Sequence, residues 1–400
     1  MRGRKQHFFI HLVTVACAVC FLFNSAHAQS KRAAQASIPA EAARHFAEAK
    51  SAETRSDWPA AEIEYKEALK LAPRWVEAMV NLGVVFNRQG KTDEAIKAFT
   101  RAAEISPKLA PALINLGITY FRAARYNEAI SPLRRAVALD SSNKQARQLL
   151  ALSFIALEKY QAAAGQLEAL RAANDKDATV LLALGESYLR LKQYGKAAQR
   201  FEELVRLAPQ DAKAHLRLGE ALDNASEPER AIVELRRAVE LDPHLAEAHY
   251  TLGYALMKKG DLDEAAAEFA RELEINPQFL LARYQLGKIH LDRGRTDEAV
   301  EMLQKVVEAA PDFRPALEAL GQALLKKRDA ARAVAALEQA VKLDPNWPDG
   351  RALLGRAYML AGRREDAQRE FAAAQRLSQE ERKRIEEKVS GQKTKRPNPR

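Results

Sequence analysis

The sequence predicts an all-α protein built as a solenoid of stacked helical hairpins, and three observations carry that expectation. Shifting the chain against itself by 34 residues aligns an alanine ten times without a gap, at Ala61, Ala95, Ala129, Ala163, Ala197, Ala231, Ala265, Ala299, Ala333 and Ala367. The same shift aligns Gly83, Gly117, Gly185, Gly219, Gly253, Gly287, Gly321 and Gly355, with Ala49 and Ala151 in the two remaining copies. Four places after each recurrent alanine stands a large apolar residue, from Tyr65 and Phe99 through Phe201 and Phe269 to Phe371. Small and large residues locked in one long period indicate a repeat array, not separately closed domains.

Each copy reads as two helices. In the second copy Met79, Leu82, Gly83 and Phe86 fall at helical spacing, Ala95, Phe99 and Ala102 do so again, and Gly90-Lys91 breaks the pattern between them. Gly90 recurs as Gly260, Gly294 and Gly362, where a left-handed cap after the first helix favours glycine. Pro73, Pro107, Pro209, Pro243, Pro277, Pro311 and Pro345 recur where the second helix should end. Gly83 and Ala95 let the two backbones approach at their crossing, and Phe86 and Phe99 fill the space beside it. One such hairpin cannot bury its apolar face alone, so neighbours must stack and the core runs along the array.

These residues resemble the tetratricopeptide repeat family, whose signature reads leucine-glycine, aromatic, alanine, large apolar, proline on a 34-residue period. The second copy carries it nearly complete in Leu82-Gly83, Phe86, Ala95, Phe99 and Pro107. With the register set at Ala42, ten copies run to Glu381 and cover 340 of the 400 residues. The signature's opening tryptophan is replaced by residues such as Met79, Leu113, Leu181, His215 and His249. The copy from Lys144 to Asp177 lacks the signature glycine and proline, which marks the fourth copy as the loosest. The resemblance implies a right-handed superhelix whose first helices line a concave groove that binds peptides or proteins. After the last copy, Ser378 and Glu381 read as a capping-box pair opening a separate charged helix over residues 382–390, with a narrow stripe of Leu377, Ile385 and Val389 that caps the array.

Both ends of the chain differ from the array. Residues 1–28 run from Arg2, Arg4 and Lys5 through an apolar stretch to Ala26-His27-Ala28, the order of a secretory signal peptide. Cleavage is expected after Ala28, leaving a linker over residues 29–41 and a periplasmic or secreted protein. The alternative is an anchor to the membrane by uncleaved residues 8–23. The only cysteines, Cys17 and Cys20, would leave with the signal, so neither a disulfide framework nor a cysteine-rich zinc site is available. The last ten residues, 391–400, carry Lys393, Lys395, Arg396 and Arg400 with no acid and two prolines, a disordered basic tail suited to an anionic surface such as lipid headgroups or envelope polymer. The net charge of +10 thus divides into +3 in the signal, +4 in the tail and only +3 over residues 29–390. A nearly neutral body does not imply nucleic-acid binding.

No catalytic function and no cofactor are expected. Outside the array, signal and tail only about 20 residues remain, far short of a domain of about 50. Gly90-Lys91-Thr92 imitates the end of a phosphate-binding loop, but that loop needs a glycine five places before Gly90, where Val85 stands. The mature histidines, His45, His215, His244, His249 and His290, show no spacing of a metal-binding helix pair. His215 and His249, 34 apart, read as equivalent packing positions at the core edge.

The inner face of the first helices is more informative. Beside the core stripe lie Val80, Asn81 and Val84 in the second copy and Ile114, Asn115 and Ile118 in the third. Asparagine there resembles the inward ladder by which some members of the family hold a peptide backbone, since an amide both donates and accepts. Leu149, Ala183, Arg217, Thr251, Gln285, Ala319 and Leu353 interrupt the ladder further on. Lys213 and Arg217 match the last pair of the carboxylate clamp of co-chaperone members, but Gln148, Leu152 and Ala183 occupy its other places. Tyr250, Tyr254 and Tyr284 gather with Lys288, a combination of aromatic area and charge favoured at binding surfaces. The alternative for the tyrosines is packing between hairpins. The groove is thus read as two unlike halves on an exported, non-catalytic scaffold. It binds a protein or peptide for assembly or organisation of a cell-envelope complex. The alternatives are an adaptor tethered by its basic tail and a non-catalytic subunit of an envelope enzyme.

Overall fold

The computed structural model of the chain describes residues 38–173 and 176–393. The signal segment, most of the linker, and Lys395, Arg396 and Arg400 of the tail lie outside the described residues. Among the described residues all regular structure is helical, in tandem hairpins, and the chain forms two compact units that meet in sequence at Pro209 and Gln210. The first unit holds α1 (Ala40–Thr54), α2 (Trp58–Leu71), α3 (Val76–Arg88), α4 (Thr92–Ile105), α5 (Ala110–Arg122), α6 (Tyr126–Leu139), α7 (Lys144–Ala156), α8 (Tyr160–Ala173), α9 (Ala178–Arg190) and α10 (Tyr194–Leu207). The second holds α11 (Ala212–Asn224), α12 (Pro228–Leu241), α13 (Ala248–Lys259), α14 (Leu262–Ile275), α15 (Leu280–Asp292), α16 (Thr296–Ala309), α17 (Arg314–Lys326), α18 (Ala330–Leu343), α19 (Pro348–Leu360) and α20 (Arg364–Lys393). Odd-numbered helices are the first helices of the hairpins. The fourth copy, α7 and α8, forms the same hairpin as the others, with Ala151 in the glycine's place.

The helix crossing is as close as the small-residue columns require. A Cβ added to Gly83 would stand 2.7 Å from the Phe99 ring, and one on Gly219 would stand 2.5 Å from Leu235 Cγ. Those distances lie inside van der Waals contact, so glycine is there to let the large residue in. Tyr65, Phe99, Leu133, Phe201, Leu235, Phe269, Leu303 and Leu337 are completely buried at this crossing. Phe371, in the last copy, has no following hairpin over it among the described residues and is 38% exposed.

The turn between helices is left-handed in every hairpin. Gly90, Gly260, Gly294 and Gly362 adopt φ of +75°, +97°, +73° and +76°, and Ser56, Ala124, Glu158, Lys192, Ser226 and Arg328 adopt the same region without being glycine. Ion pairs then tie turn to turn along each unit. Lys91 Nζ bonds Glu62 at 2.6 Å and Arg125 approaches Asp93 at 3.5 Å in the first unit, while Arg293–Asp263 and Lys327–Asp297 repeat the pattern in the second.

Two features depart from the sequence reading. The expected capping helix over residues 382–390 is not separate: α20 runs unbroken from Arg364 to Lys393, with Ser378 and Glu381 inside it, and it continues past Gly391 where the tail was expected to begin. Gln379 occupies a column that holds proline in seven copies but Ser141 and Asp175 in two others, and no proline or glycine occurs between Arg364 and Gly391 to interrupt the helix. The second departure is α13, which starts only at Ala248 after Glu247 at φ +67°. Its counterparts α11 and α15 start two register positions earlier, at Ala212 and Leu280.

Two glycine substitutions should have opposite signs. Gly185→Ala drives a methyl group into the Phe201 ring, which its Cβ would meet at 2.5 Å, and should lower stability by about 1–3 kcal/mol. Gly165→Ala, at an exposed position of α8 with nothing within 4 Å, should raise it by about 0.5–1 kcal/mol. Chemical denaturation midpoints measure both, and equal effects would contradict the crossing described above.

The Lys91–Glu62 bond also predicts a pH dependence. Burial pushes the Glu62 carboxyl up, but Lys66 and Lys91 outweigh it and hold its pKa at about 2, below the ordinary 4.5. A carboxyl depressed on folding stabilises fully above its unfolded pKa and loses that contribution as pH falls toward the folded value. Stability should therefore decline between about pH 4.5 and 2, and Glu62→Gln should flatten that part of an acid-unfolding profile.

Candidate functional site

The exposed side of each first helix is what the array can offer a ligand, because the opposite side is consumed by the crossing. In the first unit this face carries Val84, Ile114 and Ile118, all half-buried, around Asn81 and Asn115. Val80 and Leu152 are each only 6% exposed and belong to the packing between helices. Asn81 donates a hydrogen bond to the Tyr65 hydroxyl, whose own proton goes to Glu53 Oε1 at 2.9 Å; burial, then Glu53, holds this phenol far above its ordinary pKa. No hydrogen bond joins the Asn115 amide to another described residue, while its carbonyl accepts from buried Thr119 at 2.7 Å. Thr119 in turn accepts from Asn87 at 2.8 Å, which ties α3 to α5.

In the second unit Lys213 and Lys288 are exposed on α11 and α15. Arg217 donates to Glu220 at 2.8 Å on its own helix. The tyrosines divide. Tyr250 packs edge-on against Phe279 at 5.0 Å and lies 5.7 Å from Phe269, and Tyr284 packs edge-on against Phe313 at 5.1 Å. Phe46 and Trp75 stack in the same relation, 29 residues apart, at 4.4 Å. These rings cement one hairpin to the next. Tyr254, 37% exposed, leans on Tyr250 at 6.2 Å, and Lys288 occupies the equivalent position one hairpin on. Burial raises the Glu318 carboxyl above its ordinary value, partly offset by Arg314 and Lys288, so an ionisable acid stands beside the same lysine.

Several polar positions escaped the sequence reading. Glu272 is wholly buried, and its two oxygens accept from the backbone N–H groups of Glu247 at 3.1 Å and Tyr250 at 3.2 Å. A carboxylate there satisfies the amides at the displaced start of α13, where the helix dipole favours negative charge. The signal was legible: Glu272 is the one acid in a column otherwise filled by Ala68, Ala102, Ala136, Leu170, Leu204, Ala238, Val306, Ala340 and Ala374. By holding the backbone of Tyr250, Glu272 also positions Tyr254 one turn later.

Three of the histidines are latches within hairpins. His215 Nδ1 meets Glu234 at 2.6 Å and His249 Nδ1 meets Glu268 at 2.5 Å, each bridging first to second helix. His45 meets Glu64 at 2.6 Å in the same way, and Arg147–Gln166 and Arg351–Glu370 occupy equivalent places at 3.1 and 2.7 Å. All five span 19 residues. Where the first member is apolar the second is often apolar too, as in Met79 with Ala98 and Leu317 with Ala336.

Family models described as tetratricopeptide repeat match residues 75–142, then overlapping windows 114–178, 149–212, 182–246 and 216–278, and finally 256–324 and 324–385. The chain belongs to the tetratricopeptide repeat family. No curated protein matches it. Among solved structures it is similar to a chain of Naa15/Naa10 bound to HypK-THB, at 18% identity over 84% of this chain and 63% of that one, with a TM-score of 0.48. A MamA RS-1 double mutant matches at 25% identity over 42% of this chain and 96% of that one, with a TM-score of 0.41. The Pseudomonas aeruginosa pilF structure matches at 20% identity over 52% and 95%, with a TM-score of 0.43.

The latches make a double-mutant test possible within this tetratricopeptide repeat array. Glu268→Ala leaves Nδ1 of His249, a residue 5% exposed, without its carboxylate while Nε2 keeps the Pro243 carbonyl, and should cost about 1–3 kcal/mol. His249→Leu with Glu268→Ala recreates the apolar pair of Leu317 and Ala336 and should recover about 1 kcal/mol or more of that loss. Strict additivity in thermal or denaturant unfolding would show that the pair is not coupled.

Proposed function

We propose that this tetratricopeptide repeat protein is an exported, non-catalytic scaffold that binds an extended peptide or protein segment along its first helices, and that it assembles or organises a complex in the cell envelope. The observation that carries the binding reading is the Asn115 amide, half-buried, without a described side-chain partner, and set between half-buried Ile114 and Ile118. An amide can pair with both the N–H and the C=O of a passing backbone, while the flanking apolar side chains take up a residue on either side. Tyr254 and Lys288 offer the second unit a different chemistry, aromatic area beside a cation, suited to an acidic or aromatic stretch. Export is supported by the order of charges and apolar residues in residues 1–28 and by an array without cysteine. Among the described residues no helix is long and apolar enough to cross a membrane.

The test begins with capture of partners from an envelope extract of the source cells on the mature chain, followed by calorimetric titration of the recovered segment. Asn115→Ala and Tyr254→Ala should each weaken binding by about 1 kcal/mol or more while the melting temperature changes little. Wild-type affinity in both variants would remove the first-helix face from consideration. Mass spectrometry of the secreted chain should find Gln29 at its N-terminus; an intact Met1 in a cytoplasmic protein would defeat the export reading.

A further inference from the structure

We propose that the first hairpin holds one divalent transition-metal ion, with Zn²⁺ the best fit, between His45, Glu48 and Glu64. His45 and Glu48 stand three residues apart on α1 and so share a face, and Glu64 reaches them from α2. The His45 Nδ1 to Glu64 Oε2 distance is 2.6 Å, and a ligand atom from each of the three residues lies within 4.8 Å of the other two. The side chains of His45, Glu64 and Glu48 are 18%, 26% and 51% exposed, which leaves an ion a path in and room for water on its open side. The competing contacts of Glu48 are weak: Arg44 approaches it at 3.8 Å and is shared with Glu41 at the same distance.

The array contains its own controls. His215–Glu234 and His249–Glu268 have the same pair geometry, but the place of Glu48 is taken there by Leu218 and Leu252. Leucine also fills that column at Leu82, Leu116, Leu150, Leu184, Leu286, Leu320 and Leu354. A latch alone therefore needs two polar residues, and only the first hairpin adds a third donor at the position the period reserves for leucine. Solubility of an end hairpin would be served by any polar residue; a carboxylate within reach of an imidazole and a second carboxylate is a ligand set.

The donors also select the ion. One imidazole nitrogen with two carboxylate oxygens suits Zn²⁺ and its first-row neighbours, whereas Ca²⁺ and Mg²⁺ take oxygen donors in greater number. Zn–N and Zn–O bonds of about 2.0–2.2 Å require the His45–Glu64 pair to open by several tenths of an ångström and Glu48 to swing inward, both side-chain movements. Nδ1 coordinates as the neutral imidazole, whose one ring proton then sits on Nε2; any further proton held between Nδ1 and Oε2 is released to solvent, and water completes the shell.

Untagged chain beginning at Gln29, stripped with chelator, is titrated with ZnCl₂ by calorimetry and with CoCl₂ by visible absorption. One ion per chain and a melting temperature that rises with Zn²⁺ to saturation are expected. Glu48→Leu installs the residue found at nine equivalent positions, so it should leave the circular dichroism spectrum intact and weaken Zn²⁺ by about tenfold or more. Glu48→Gln should weaken it similarly, and His215→Ala should leave stoichiometry and affinity unchanged. Absence of binding, equal binding by the Glu48 variants, or loss of the ion on His215→Ala would each overturn the site.

Discussion

The close crossing of two helices within each hairpin is the contact on which the rest of the molecule depends. Glycine at Gly83 and its equivalents removes the one carbon that would collide with Phe99 and its equivalents. That lets a large apolar residue sit on the hairpin axis, where the next first helix covers it. A crossing of this kind brings the two helices of a hairpin close together, so within each unit the exposed side chains of the first helices follow the repeat. Phe371 shows the dependence from the other side: it is the same column residue with no hairpin after it among the described residues, and it is the one left substantially exposed.

The array was legible because its period is written in small and large residues that only the crossing explains. The inner face was legible less completely. Sequence spacing identified Asn115, Ile118, Tyr254 and Lys288 on an accessible face, but it could not separate them from Val80, Leu152, Tyr250 and Tyr284, which neighbouring side chains cover. The partner of Tyr250 is Phe279 and that of Tyr284 is Phe313, a relation across 29 residues that a 34-residue alignment never places side by side. The latches are a second hidden offset: His249 and Glu268 stand in different columns, and their chemistry makes sense only when the columns are read in pairs. The continuous α20 was missed for a simpler reason. Ser378 and Glu381 carry a capping-box pattern, but neither proline nor glycine interrupts the chain from Arg364 to Ser390, so the pattern lies within a continuing helix.

Departures from the period mark where this chain is individual. Glu272 in an apolar column moves the start of α13 and holds Tyr250, so the one buried acid among small residues lies directly behind the aromatic part of the inner face. Glu48 in a leucine column turns an ordinary latch into three converging donors. The polar pairs at 19-residue spacing rigidify single hairpins without adding to the contact between them, which leaves hairpin stacking to the apolar columns and the turn-to-turn ion pairs. Local strength and neighbour coupling are thus carried by different residues.

The central claim is that each unit is held by stacked neighbours and not by one closed core. Native-state hydrogen exchange read by mass spectrometry tests it directly. The account predicts graded protection, highest in interior hairpins such as α3 with α4 and α15 with α16, and lowest in α1 with α2 and in α19 with α20, each of which has a neighbour on one side only among the described residues. Uniform protection of every hairpin within a unit, exchanging in a single step, would contradict it.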